Sequence, residues 1–180
     1  MAGISLGYAA VDGVEGLIRG ASLVVDARGI PLDFRYTDPI RPTKLERVLY
    51  GNALNTYLRE ELVLRSLLGA VESKPQIWLC SETDLLMPLR TIGKVKTAFL
   101  SQSTHAPLDA TGQTEPTSEA NVVLLQADSV SAPLRIALPD GTRQEEAQQV
   151  AAILVEAAKT MELLEPFGRI QKALAAVGED

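Results

Sequence analysis

The sequence predicts an α+β domain, and three observations carry that expectation. Residues 22–37 read as a hairpin, residues 43–71 and 142–164 carry apolar stripes at helical spacing, and five further strand-like runs surround and separate those helices. A mainly antiparallel (mixed) sheet of about five to seven strands, with two long helices packed on one face and a short C-terminal helix, satisfies that order most simply.

Residues 4–11 (ISLGYAAV) are small and apolar and predict a first strand, ended by the glycine-containing turn DGVEG. Residues 22–26 (SLVVD) form the next, and Ala27-Arg28-Gly29 supplies a compact turn in which Gly29 can take a positive φ. In the strand that follows, Leu32, Phe34 and Tyr36 alternate with Asp33, Arg35 and Thr37. That period of two marks a half-buried antiparallel strand. Pro39 and Pro42 then stop the sheet, because proline donates to no ladder and biases its predecessor away from helix.

Thr43 with Glu46 has the spacing of a capping box, and Leu45, Val48, Leu49, Leu54, Tyr57, Leu58, Leu62, Leu67, Leu68 and Val71 continue as a helical stripe. Gly51-Asn52 is the point where that helix would be interrupted. Residues 76–80 (QIWLC) predict a buried strand, residues 83–90 a short helix capped by Ser81 or Thr83, and residues 94–101 another strand. Residues 102–119 are rich in Thr, Ser, Pro and Gly and read as a flexible loop, a length usually reserved for mobile or functional segments. Two more strands follow at 121–127, expected to be central, and at 133–138. Thr142 with Glu145 repeats the capping-box spacing ahead of the second long helix, and Pro166 opens an amphipathic terminal helix over 165–177.

The 180 residues are expected to form a single domain, 1–180, long enough to bury a core. With 4% aromatics, that core must be built from Leu, Val, Ile and Ala. The one cysteine, Cys80, excludes an intrachain disulfide framework and suits a reducing compartment. The segment MAGISLGYAAVDG lacks the charged and continuous apolar regions of a signal peptide, and no apolar run approaches the roughly 20 residues needed to span a bilayer. A cytoplasmic location is expected. A formal net charge of −6 argues against nucleic-acid or anionic-membrane binding driven by the whole protein's field, and leaves room for a local basic patch.

In its order of hairpin, helix, three strands and helix, the chain over residues 20–163 resembles the roadblock and longin families, and it resembles them in that order alone. The run PLDFRYTDPIRPTKLERVLYG is similar to segments of uncharacterised bacterial proteins. The first resemblance implies a scaffolding role; the second implies no activity.

No residue pattern carries a specific chemistry. Cys80 closes an apolar strand while His105, the only histidine, sits in the loop, so a nucleophilic pair is not expected. Ser81-Glu82-Thr83-Asp84 could serve a metal or act as a base, but reads first as the start of a helix, where hydroxyls and acids are favoured. The glycine turns fit neither phosphate-binding motif. Neither a catalytic residue, a metal site nor a cofactor is assigned. The densest basic stretch contains Arg28, Arg35, Arg41, Lys44 and Arg47, offset to one net positive charge by Asp26, Asp33, Asp38 and Glu46. Arg35, Tyr36, Arg41, Lys44, Arg47 and Tyr50 make up the candidate interaction surface, since Tyr and Arg are favoured in interface hot spots.

The expected function is therefore a non-enzymatic interaction or scaffold module that meets a protein partner or a second copy of itself, with no nucleic acid and no membrane among its partners. The alternative is a small-molecule or nucleotide-binding sensor domain lined by the apolar side of the sheet, with residues 102–119 as its lid. A hydrolase or transferase using Cys80, Ser81, Asp84 or His105 ranks third.

Overall fold

The computed structural model describes residues 3–14 and 16–177; Glu15 and the outermost terminal residues lie outside the described set. Eight strands form one mixed sheet: β1 (Ser5–Val14), β2 (Leu17–Asp26), β3 (Pro31–Tyr36), β4 (Ile77–Cys80), β5 (Lys96–Gln102), β6 (Thr114–Pro116), β7 (Val122–Leu125) and β8 (Leu134–Ala137). Their spatial order is β3-β2-β1-β4-β5-β8-β7-β6. The first three make an antiparallel meander, β4 and β5 run parallel to β1, and β8, β7 and β6 complete the sheet antiparallel.

The mixed α+β class is as expected; the sheet exceeds the expected size and its centre is parallel. β1, β4 and β5 occupy the middle, and β7 lies one strand from the edge rather than at the centre. The reason is visible in β4, whose four residues IWLC are all buried and do not alternate. A strand covered on both faces reads as a continuous apolar run. Parallel neighbours also require a crossover. The segment from α1 (Lys44–Tyr50) to α3 (Arg65–Ala70) supplies it between β3 and β4, and α4 (Leu86–Gly93) supplies it between β4 and β5.

Helices consequently cover both faces rather than one. On one face α5 (Gln144–Ala158) and α6 (Glu165–Ala176) pack over Leu6, Tyr8, Ala10, Leu79 and Leu100. On the other, residues 57–70 and α4 pack over Ala9, Val11, Val24, Trp78 and Cys80. Neighbouring residues of β1 and β4 thus feed opposite cores, as strand geometry demands.

The first helical segment is irregular. α1 (Lys44–Tyr50) starts with the expected capping box, in which Thr43 Oγ1 accepts from the Glu46 backbone and Glu46 accepts from the Thr43 backbone at 3.0 Å. Gly51 (φ 51°) ends it; a 3₁₀ turn, the short α2 (Leu54–Thr56), a π-helical stretch Tyr57–Leu64 and α3 (Arg65–Ala70) follow. The segment lies close to the sheet because β2 carries Gly20, where a Cβ would stand 2.4 Å from Val63 Cγ1. The second capping box does not form. Thr142 Oγ1 donates to the Pro139 carbonyl, and α5 begins one residue later with Arg143 as an N-cap that makes no side-chain bond.

Between β5 and β7, the 102–119 segment contains β6 and is tied to the buried Gln126, whose Oε1 accepts from Leu108 N at 2.8 Å. Among the described residues, no helix is long and apolar enough to cross a membrane.

Candidate functional site

In open sheets with parallel strands, ligands gather outside the carboxyl ends of those strands. Here that end presents the β1–β2 turn, the residues after β4 and the crossover segment from α1 to the π stretch. Arg41 and Arg47 both reach the turn: an Arg41 Nη1 and an Arg47 Nη2 each lie 3.9 Å from the point where a Cβ of Gly16 would stand. The two guanidinium groups therefore converge on one small region. Neither makes an ion pair among the described residues, and both are exposed. Like charges held this close, with no carboxylate between them among the described residues, favour an anion.

α1 itself has no buried residue. Leu45, Val48 and Leu49 are 66%, 71% and 70% exposed, so the stripe that predicted a core helix faces solvent over its first two turns. Tyr50, at the end of α1, stacks on Tyr57 with ring centroids 4.2 Å apart and planes 15° from parallel. The surface thus alternates cations, aliphatic side chains and an aromatic pair.

Further along, Arg59 on the π stretch binds Glu82 at 2.6 Å and approaches Asp84 at 3.7 Å. Glu82 stands before a 3₁₀ turn (Thr83–Leu85) and makes no side-chain cap. The cluster expected to cap a helix is instead an ion-pair anchor between the crossover and the end of β4. One Arg59 nitrogen, Nη2, meets both acids, and no group of three or more His, Cys, Asp or Glu able to hold a metal occurs among the described residues. Two-metal phosphoryl chemistry rests on clustered carboxylate ligands. The described residues bring together no such cluster.

The other sequence candidates separate. Arg35 binds Asp33 at 2.8 Å and lies 4.0 Å from Glu72, while Tyr36 stacks on Phe34 along β3. Lys44 stays on α1 beside Arg41 and Arg47 in sequence and makes no ion pair among the described residues. Cys80 is fully buried, and burial pushes its thiol up to about 12; His105 is exposed in its loop, with Nδ1 2.7 Å from the Ala106 carbonyl. The thiol and the imidazole form no pair. Arg59 and Tyr57 escaped the sequence reading, the first because its partner lies 23 residues away, the second because it was counted into the core stripe.

Comparison with solved structures identifies the architecture. Endonuclease V of Streptomyces avermitilis superposes with a TM-score of 0.60 at 14% identity, over 98% of this chain and 83% of that one. The catalytic domain of human endonuclease V gives 0.53 at 15% identity, over 98% and 85%. The chain shares the endonuclease V fold. A third match is endonuclease V of Ciona intestinalis in complex with a 24mer DNA containing an inosine, at a TM-score of 0.50 and 12% identity over 97% and 87%. No protein-family model and no curated protein matches the sequence.

Two expectations are corrected by these matches. The scaffold and sensor readings gave way because every neighbour named above is a nuclease, and the exclusion of nucleic acid gave way because one of them holds DNA. The physical error lay in applying net charge to the whole chain. Charges are screened beyond about 8–10 Å at physiological salt, so a local cluster such as Arg41 and Arg47 acts independently of a distant acidic surface.

Proposed function

We propose that this chain binds nucleic acid at the carboxyl end of its parallel strands, as a recognition domain rather than a metal-dependent nuclease. The observation that carries this reading is the convergence of Arg41 and Arg47 on Gly16 with no ion-pair partner among the described residues. Guanidinium groups suit phosphate, which they grip bidentately. The stacked Tyr50 and Tyr57 lie on the segment that follows α1, and base stacking on aromatic side chains is the common mode for unpaired strands. The shared fold supports the substrate class. The carboxylates taken up by Arg59 support recognition over cleavage.

Fluorescence anisotropy with single-stranded and duplex oligonucleotides tests the proposal. Saturable binding, tighter for single strands, is expected, and Arg41→Glu with Arg47→Glu should weaken it by about tenfold or more. Absence of binding to every oligonucleotide at low salt would overturn the proposal. Magnesium- or manganese-dependent cleavage by purified protein would overturn its restriction to recognition.

A further inference from the structure

We propose that a second site, at the amino end of β4, binds a small amphipathic organic anion. The site is a cleft of about 480 Å³ between the end of α3 and α4, walled by Leu68, Val71, Pro75, Ile92 and Val95. That size lies within the range of small-molecule pockets, which pair apolar walls with a few placed polar groups. Trp78 is one of those groups. It lines the cleft while only 3% exposed, and its Nε1 donates to no acceptor among the described residues. That N–H is not among the buried atoms left without a partner, so it opens to the solvent of the cleft, where a ligand acceptor can reach it. The free donor lies beside Gly93, where a Cβ would stand 3.1 Å from Nε1 and 2.8 Å from Cδ1. The missing side chain keeps this edge of the indole uncovered.

The charge at the rim fixes the sign of the ligand. Lys74 and Lys94 both line the cleft and make no ion pair among the described residues, whereas the third cation there, Arg65, is satisfied by Glu61 at 3.0 Å. Lys94 also borders an adjoining polar groove of mixed charge, in which Lys96 and Arg143 stand with Glu145 and Arg90 is taken up by Glu146 at 2.9 Å. Lys94 caps α4 in the left-handed conformation at φ 57°, a position that glycine fills at lower cost. The chain keeps a lysine there. An apolar body against Ile92 and Val95, an acceptor on Trp78 Nε1, and a carboxylate or phosphate between Lys74 and Lys94 satisfy all of these groups together.

The chain has one tryptophan, so its fluorescence reads this cleft alone. Titration with octanoate and with octyl phosphate should give a saturable emission change, while octanol and octylammonium should bind about tenfold more weakly or not at all. The tighter of the two anions identifies the preferred headgroup. Lys74→Glu with Lys94→Glu should weaken the anions about tenfold, with unchanged circular dichroism. Lys94→Gly should raise the thermal midpoint yet weaken octanoate, an outcome that loss of folding cannot mimic. Arg41→Glu with Arg47→Glu should leave this titration unaltered, separating it from nucleic-acid binding. Non-saturating emission, equal affinity for octanol, or Lys74 and Lys94 variants that bind the anions like wild type would overturn the proposal.

Discussion

On one face of the sheet, α5 and α6 are fastened to the strands by side chains that bridge distant parts of the chain. On the other, the segment from α1 to α3 changes helix type repeatedly and leaves an apolar turn in solvent. Tyr8 Oη donates to the Leu163 carbonyl at 2.6 Å, Arg19 to Leu174 at 2.9 Å and Arg169 to Gly29 at 2.6 Å; Thr160 donates to Ala27. Phe167 meets the Tyr8 ring edge-on, and burial raises the Tyr8 hydroxyl well above its ordinary range. On the opposite face Arg59 binds the half-exposed Glu82 and Asp33 holds the chain after α3, while Leu45, Val48 and Leu49 stand free. π-helical turns recur at functional sites because they sacrifice regular bonding to aim a side chain. The two faces divide the work: α5 and α6 hold the sheet, and the crossover segment presents a surface.

The most forceful way to break this contrast is a matched pair of truncations. Leu154→Ala removes a fully buried side chain under α5 and should cost about 2–5 kcal/mol in urea denaturation. Leu49→Ala should change stability by less than about 0.5 kcal/mol while weakening oligonucleotide binding. Equal losses of stability would mean that α1 is packed in solution and that the faces do not differ as described.

The next effect concerns how the crossover segment meets the sheet. Gly20→Ala places a Cβ 2.4 Å from Val63 Cγ1 and 2.9 Å from the Ala10 carbonyl, and overpacking of this kind costs about 1–3 kcal/mol. The same variant should leave the α5/α6 face intact, so hydrogen exchange should rise in residues 57–70 before it rises in α6.

A smaller effect reports the far end of the crossover segment. Asp33 is 5% exposed at its side chain and accepts from Glu72 N at 2.9 Å and Ser73 N at 3.2 Å, tying β3 to the chain just after α3. Burial works to raise its carboxyl, but Arg35 and these two backbone donors outweigh burial and hold it below the ordinary carboxylate range. A depressed folded pKa contributes stability above the unfolded value and loses it as pH falls through the folded one. The stability difference between wild type and Asp33→Asn should therefore be constant at neutral pH and shrink below the ordinary carboxylate range. A difference that persists unchanged into strong acid would remove Asp33 from this role.

The sequence was most legible where structure is local. The period of two in Leu32, Phe34 and Tyr36 marks β3, and the Thr43–Glu46 box starts α1 where expected. What stayed hidden depends on distant pairing. IWLC could be read as buried but not as the parallel neighbour of β1, because register is fixed by residues 71 positions away. The apolar stripe from Leu45 onward has the same periodicity in its exposed first turns as in its buried later ones, so periodicity alone could not show where packing begins. At the site, Arg41, Lys44, Arg47 and Tyr50 were legible as a cluster of residue types. The convergence of Arg41 and Arg47 on Gly16, and the diversion of Arg35 to Asp33, required the fold.

The salt dependence of oligonucleotide binding tests the central claim most directly. Each phosphate neutralised by a cation contributes close to one unit to the slope of log affinity against log salt. Arg41→Ala and Arg47→Ala should each reduce that slope by about one, with thermal stability preserved. Slopes identical to wild type in both variants would show that these arginines touch no phosphate, and would contradict the account.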